Sequence, residues 1–256
     1  KVFGTSMDVE EEEDLLPIVV PISDYSTFIP EGHKKNDPKP TFADIPESLK
    51  TAIKSFILTC AIRLARGQEN KHNSMLIHVS RYQLWQNEIK ELVAQQFSYY
   101  KQEIEANDPS VLREFQDLLE HDYTETTNKI KNSTLSGINH CLQVHQWKDI
   151  KPLLFKVVQK IEVKSINGSS GDVVDYQLNS KNGVSVIAIG GDKLSRGLTL
   201  EGLSISYFLR ASKMYDTLMQ MGRWFGFRPG YVDLCRLFTS AELNEWYRHI
   251  AIASAE

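Results

Sequence analysis

The sequence has few cysteines and no long apolar run, and both absences exclude classes of protein. Its three cysteines, Cys60, Cys141 and Cys235, lie far apart and form no CxxC pair. This spacing argues against a disulfide scaffold or a zinc ribbon and fits a reducing compartment, so we expect a cytoplasmic protein. No apolar stretch approaches the roughly 18 residues of a membrane span, and we expect neither a signal peptide nor a membrane partner.

The sequence also lacks an excess of positive charge. It has 29 Lys and Arg against 33 Asp and Glu, a net charge of −4. Bulk charge therefore does not favour nucleic-acid binding, and any such site would have to be a local basic patch. With 256 residues, of which 41% are hydrophobic, the chain is long enough to bury a core without disulfides or metals. Because it begins with Lys1 rather than Met, we expect it to be part of a longer polypeptide.

The first 45 residues differ in composition from the rest. They contain an acidic run over residues 10–14, and six prolines fall before residue 47. Proline keeps the backbone extended, and a block of like charge is usually solvated. We therefore interpret residues 1–45 as an extended acidic, proline-rich connector from an upstream lobe, with order beginning at Pro46 and a folded domain over residues 46–256.

Strand and helix patterns alternate through this domain. Apolar residues at helical spacing from Leu49 to Leu64 predict a helix that Gly67 ends, and a second helix should pass through Trp85 and Ile89. Residues 95–157 are helical in pattern but interrupted, which indicates a helical insertion. Short apolar runs predict strands over residues 74–79, 160–166, 184–189, 203–209 and 231–238. Continuous apolar strands alternating with helices favour an α/β fold with a mostly parallel sheet.

Two segments have the composition of a ligand site. In residues 184–202 a buried strand runs into a loop with four glycines among Ser, Thr, Lys and Arg side chains. Ligands of parallel sheets lie at the carboxyl ends of strands, where glycine lets backbone N–H groups approach an anion. In residues 215–231, Arg223 and Arg228 lie among aromatic and glycine residues, and arginine suits a phosphoryl group. A plain turn in the first segment and cation–π packing in the second remain alternatives.

The order of three segments resembles the second RecA-like lobe of superfamily-two helicases. Residues 76–81, 190–197 and 219–226 follow one another as motifs four, five and six of that lobe. More closely, residues 72–81, 190–197 and 219–226 resemble the Z1 domain family. These are helicase-related proteins of bacterial restriction-type systems to which an endonuclease role is assigned by inference. The resemblance extends over about residues 47–240.

The resemblance implies a RecA-like parallel sheet and an ATP site, with Mg²⁺, shared with an upstream first lobe. Arg223 matches the first arginine of motif six and would stabilise charge on the γ-phosphate as the catalytic arginine finger. The second arginine of the motif is replaced by Gly226, so Arg228 is the nearest substitute. The loop that would couple nucleotide state to DNA comprises Asp192, Ser195, Arg196, Gly197 and Thr199. The nucleic-acid contacts would be Ser80, Arg81 and Lys193.

No GxxxxGK[ST] motif is present, so this segment alone should not hydrolyse ATP. We therefore expect the C-terminal lobe of an ATP-dependent DNA helicase or translocase. Its partners would be DNA, the upstream lobe and, by implication, proteins of a restriction system. The alternative is a non-catalytic scaffold that keeps the fold and binds DNA or a partner. The displaced spacing of motif six favours that alternative.

A metal site is not expected from the sequence. Glu162 and Lys164, with Asp149 upstream, fit the ExK pattern of metal-dependent nucleases, but Glu88 and Lys90 fit it equally on a predicted helix. His140, Cys141 and His145 form too small a set for structural zinc.

Overall fold

The computed structural model describes residues 18–26, 28–30, 34–35, 44–132, 142–166, 176, 179, 181–190, 200–209 and 230–246. The helices are α1 (Glu47–Ala65), α2 (Gln83–Ala106), α3 (Pro109–Leu118), α4 (Thr124–Lys131) and α5 (Trp147–Val158). The strands are β1 (Val19–Pro21), β2 (Asn73–His78), β3 (Ile161–Ile166), β4 (Ser185–Gly190), β5 (Leu203–Phe208) and β6 (Arg236–Thr239). None of the helices described is long and apolar enough to cross a bilayer.

The strands form one parallel sheet in the order β1-β6-β5-β2-β4-β3. Strands β2 and β5 are buried along their whole length, as expected for the centre of a sheet covered on both faces. The predicted α/β class with a parallel sheet flanked by helices is therefore confirmed.

Alternate residues of β2 point to opposite faces and enter two separate cores. Met75 and Ile77 belong to the larger core, which they share with apolar residues of α1, α2, α3 and α5. Leu76 belongs to a smaller core on the other face, where Leu243 packs from a helical segment over residues 241–246. The four helices of the larger core thus cover one face of the sheet.

Three of the helices in the predicted insertion, residues 95–157, share the larger core with the sheet: α2, α3 and α5. Phe97, Phe115 and Leu154 are buried in it beside residues of α1. Residues 95–106, 109–131 and 147–157 are helical. The apolar faces of α2, α3 and α5 are directed at α1 and the strands, whereas Ile130 of α4 packs in a separate small cluster with Ile18, Leu142 and Val232.

The structure corrects two of the expectations. Order does not begin at Pro46, because β1 is an edge strand paired with β6, and Ile18 and Ile22 flanking it are buried. The sequence predicted an extended backbone for the residues of β1, but it did not predict that they pair with β6. The strand predicted over residues 231–238 forms only at Arg236–Thr239, because Val232–Leu234 make a 3-10 turn.

Buried ion pairs explain that turn. Asp233 is fully buried and accepts hydrogen bonds from both terminal nitrogens of Arg66, at 2.9 and 2.6 Å, and from the hydroxyl of Thr127 at 2.7 Å. The buried Arg236 guanidinium pairs with Asp122 at 2.7 Å, within a π-helical turn over Leu119–Tyr123. Within the turn before β6, Asp233 thus contacts Arg66 at the end of α1 and Thr127 on α4.

Candidate functional site at the carboxyl edge of the sheet

Of the three segments that resemble helicase motifs, residues 76–81 begin on β2 and residues 190–197 begin at the end of β4, whereas residues 219–226 come after β5 and lie outside the described residues. Strand β2 lies between β4 and β5, with Ile77 paired to Ile189 and His78 paired to Phe208. Because the strands are parallel, their carboxyl ends meet at one edge, where ligands of such sheets bind. Residues 79–81 follow β2 at this edge, residues 191–199 follow β4, and residues 210–229 come after β5.

His78 joins the ends of the three strands. Its ring is fully buried, and Nδ1 lies 2.8 Å from the carbonyl oxygen of Gly190, the last residue of β4. Because a carbonyl only accepts, Nδ1 must carry the proton. The ring also stacks on Phe208 with centroids 5.1 Å apart, and the backbone carbonyl of His78 accepts from the N–H of Leu209 at 3.2 Å. His78 thus fixes the starting points of both loops relative to β2.

Of the predicted nucleic-acid contacts, Arg81 lies at the surface of this edge. Its guanidinium carbon is 4.8 Å from the ring centroid of Tyr82, and Nη2 donates to the Tyr82 hydroxyl at 2.6 Å. Ser80 is buried, and its hydroxyl oxygen accepts from the N–H of Tyr82 at 3.1 Å. The Gln86 side chain donates to the Ser80 carbonyl at 2.9 Å. Ser80 and Gln86 therefore shape the turn that presents Arg81 and Tyr82.

The remaining predicted site residues lie outside the described residues, and their roles stay predictions. They are the two arginines of the second segment and six residues of the first loop: Arg223, Arg228, Asp192, Lys193, Ser195, Arg196, Gly197 and Thr199. The described strands fix where their segments leave the sheet, at Gly190 and Leu209.

A polar contact that the sequence did not reveal lies on the helical face of this edge. The hydroxyl of Ser48, in the first turn of α1, donates to Asp24 at 2.5 Å and lies 2.8 Å from the hydroxyl of Tyr207 on β5. Asp24 also accepts from the N–H of Ser48 at 2.9 Å, so a carboxylate from the N-terminal segment stabilises the start of α1. Burial raises the pKa of Tyr207, which keeps the phenol neutral.

Within the described ranges, no three His, Cys, Asp or Glu side chains are close enough to hold a metal ion. The ExK candidates Glu162 and Lys164 form an exposed ion pair of 2.6 Å on the edge strand β3. Cys60 is buried against the sheet, and desolvation raises the pKa of its thiol to about 12, so it is neither a ligand nor a nucleophile at neutral pH. His140 and Cys141 lie outside the described residues.

The fold and this edge define an α/β domain in which three loop-bearing strands end side by side. A family model described as the Z1 domain matches residues 48–256, and the chain belongs to this family. Comparisons with curated proteins and with solved structures found no significant match.

Proposed function

We propose that the chain is the C-terminal RecA-like lobe of an ATP-dependent, superfamily-two-type DNA helicase or translocase in a protein of a restriction-type system. The observation that supports it most is the adjacency of β4, β2 and β5: residues 79–81 follow β2 at their shared carboxyl edge, and the segments with the other two motifs come after β4 and β5 in the sequence. In this proposal, residues of the three segments contact the phosphate of a nucleotide or nucleic acid at this edge.

In this proposal ATP and Mg²⁺ lie between this edge and an upstream lobe. Arg223, with Arg228 assisting, donates hydrogen bonds to the γ-phosphate as negative charge develops on it. The part of the edge that the structure describes offers the cation of Arg81 and no cluster of carboxylates for Mg²⁺. A guanidinium suits an anion such as a phosphate, and the proposal assigns the ligands of the metal ion to the other lobe.

The contact between His78 and Gly190 gives a physical route for coupling nucleotide and DNA. Arg81, three residues after His78, would contact a DNA phosphate, and the loop that begins after Gly190 would contact the nucleotide. A shift of that loop on hydrolysis would act on β2 through the 2.8 Å hydrogen bond and the stack on Phe208.

The test is ATP hydrolysis by the natural polypeptide that contains this chain, with and without DNA. We expect hydrolysis that DNA stimulates and that falls about a hundredfold or more in Arg223→Ala, the usual cost of removing one transition-state donor. Arg113→Ala, at an exposed position of α3, is the matched control and should keep the wild-type rate. No hydrolysis in either protein, with DNA binding intact, would instead establish the non-catalytic scaffold.

DNA contact at this edge is tested separately with Arg81→Ala. Removing one cation from a phosphate should lower the slope of log K against log salt by about 0.7 to 0.9. An unchanged slope would remove Arg81 from the DNA site.

A further inference from the structure

Helix α5 presents a face that combines two lysines with an exposed aromatic residue. Lys148, Lys151 and Phe155 recur at spacings of three and four residues and are exposed together, whereas Ile150 and Leu154 are buried on the opposite side. Phe155 is 55% exposed, the highest value among the large hydrophobic residues described. A phenyl ring that is more than half exposed contributes little to the core and is accessible to a ligand.

The charge of this region differs in sign from that of the protein. Residues 147–166 contain five lysines against two carboxylates, a local charge of +3 in a chain whose net charge is −4. Lys156 pairs with Glu69 at 2.6 Å. In the described part of the chain, no carboxylate lies within 4.0 Å of the ammonium group of Lys148 or Lys151. These two cations are thus available to an anionic ligand.

We propose that the face formed by Lys148, Lys151 and Phe155, here the α5 face, binds single-stranded nucleic acid. The two lysines contact phosphates, and a base stacks on Phe155. Cations beside an exposed aromatic ring are the combination that binds single strands without sequence preference, since every base has a π-face. An acidic polypeptide would pair with the two lysines but would not need the ring of Phe155. A membrane is also a poor fit, because a single phenyl ring among lysines is too small an apolar face for insertion.

The α5 face is separate from the carboxyl edge. Helix α5 packs on α1 and α2 and leads into β3, the edge strand of the sheet, whereas Arg81 follows the central strand β2. The inference deepens the proposed function by naming a single strand as a ligand and a second surface that holds it. This inference rests on the proposed function in one respect, namely that the ligand is a nucleic acid.

The test is binding of a labelled single-stranded oligodeoxynucleotide of mixed sequence to the full chain over a salt series. We expect Lys148→Gln with Lys151→Gln to lower the salt slope by about 1.4, at about 0.7 for each phosphate that is no longer neutralised. We expect Phe155→Ala to weaken binding about 5- to 150-fold, the effect of removing the stacking of one base. Glutamine keeps helix propensity, and Phe155 is largely exposed, so the variants should melt at the wild-type temperature.

Matched controls remove the same groups elsewhere. Lys129→Gln with Lys131→Gln deletes two exposed charges from α4, and Tyr99→Ala deletes an aromatic ring that is 46% exposed on α2. Both should bind as the wild type does. Binding that falls equally in these controls would mean a diffuse charge effect and would overturn the proposal.

Other outcomes separate this inference from the proposed function. If Arg81→Ala weakens binding and the α5 variants do not, the α5 face is wrong and the carboxyl edge stands. If the α5 variants weaken binding and Arg81→Ala does not, the α5 face stands without the edge. If polyglutamate competes as well as the oligonucleotide and Phe155→Ala has no effect, the surface fits acidic polypeptides and the proposal fails. If the chain binds no single strand, the proposal also fails, and hydrolysis alone then decides the proposed function.

Discussion

Replacing Asp233 by asparagine tests whether the buried ion pair holds α1, α4 and the turn before β6 together. The substitution keeps the shape of the side chain but removes the charge that faces Arg66, whose own side chain is only 3% exposed. Breaking one partner of a buried pair usually costs about 3 to 5 kcal/mol, because the other charge stays desolvated. Asparagine can still accept one hydrogen bond, so we expect a cost near 3 kcal/mol, at about the lower end of that range.

The free energy of unfolding is measured by urea titration with circular dichroism as the signal. For a slope of about 3 kcal/mol/M, a decrease of about 3 kcal/mol lowers the midpoint by about 1 M, with the slope unchanged. The control is Asp117→Asn, which breaks an exposed pair with Arg113 at 3.7 Å and should cost less than about 0.5 kcal/mol. A cost below about 1 kcal/mol for Asp233→Asn would refute the reasoning, since it would mean that Arg66 recovers its solvation without a partner.

The double substitution Arg66→Met with Asp233→Leu sharpens the test. Removing both charges eliminates the unpaired ion, so the double variant should be more stable than Asp233→Asn. If the double variant is the less stable of the two, the destabilisation would come from packing in this region and not from the charge.

Three further predictions concern other positions. Gly202→Ala should cost at least about 2 kcal/mol in urea titration, because φ is +69° and a Cβ would lie 1.8 Å from the carbonyl oxygen of His72; a neutral effect would mean that this turn is not close-packed. Burial and then the Arg66 charge lower the pKa of His145 from its ordinary 6.5, so the folded state binds its proton less readily than the unfolded state. Stability should therefore fall as pH drops through about 6.5, and His145→Asn should flatten that dependence. Cys60 should resist alkylation at pH 8 until urea unfolds the chain, because burial raises its pKa to about 12; rapid labelling of the native protein would contradict its burial.

The central strands and α1 were predictable from sequence because their signals are local. A continuous apolar run identifies β2, β4 and β5, and helical spacing from Leu49 onward identifies α1. Strand β1 was missed because it has three residues, ends in Pro21 and is a strand only through pairing with β6. The turn at Val232–Leu234 was missed because Asp233 forms an ion pair with Arg66, a partner 167 residues away in sequence.

The candidate site was predictable only in part, for a similar reason. Arg81 was predicted from a contiguous motif; it follows β2 at the carboxyl edge, and its role stays a prediction. The contacts of His78 with Gly190 and of Asp24 with Ser48 join residues far apart in sequence. No periodicity or spacing reveals such pairs, because the fold itself brings them together.

The pairing of β1 with β6 also affects the order in which the protein can assemble during synthesis. Val19 is paired with Leu237, so the first of the described strands to leave the ribosome has no partner until almost the whole domain has been translated. At about 5 to 20 residues per second, that delay is roughly 10 to 45 seconds. Ile18 and Ile22, which are buried in the finished domain, remain exposed to solvent or to a chaperone during this time. The sheet can therefore close at this edge only after Arg236–Thr239 have been translated.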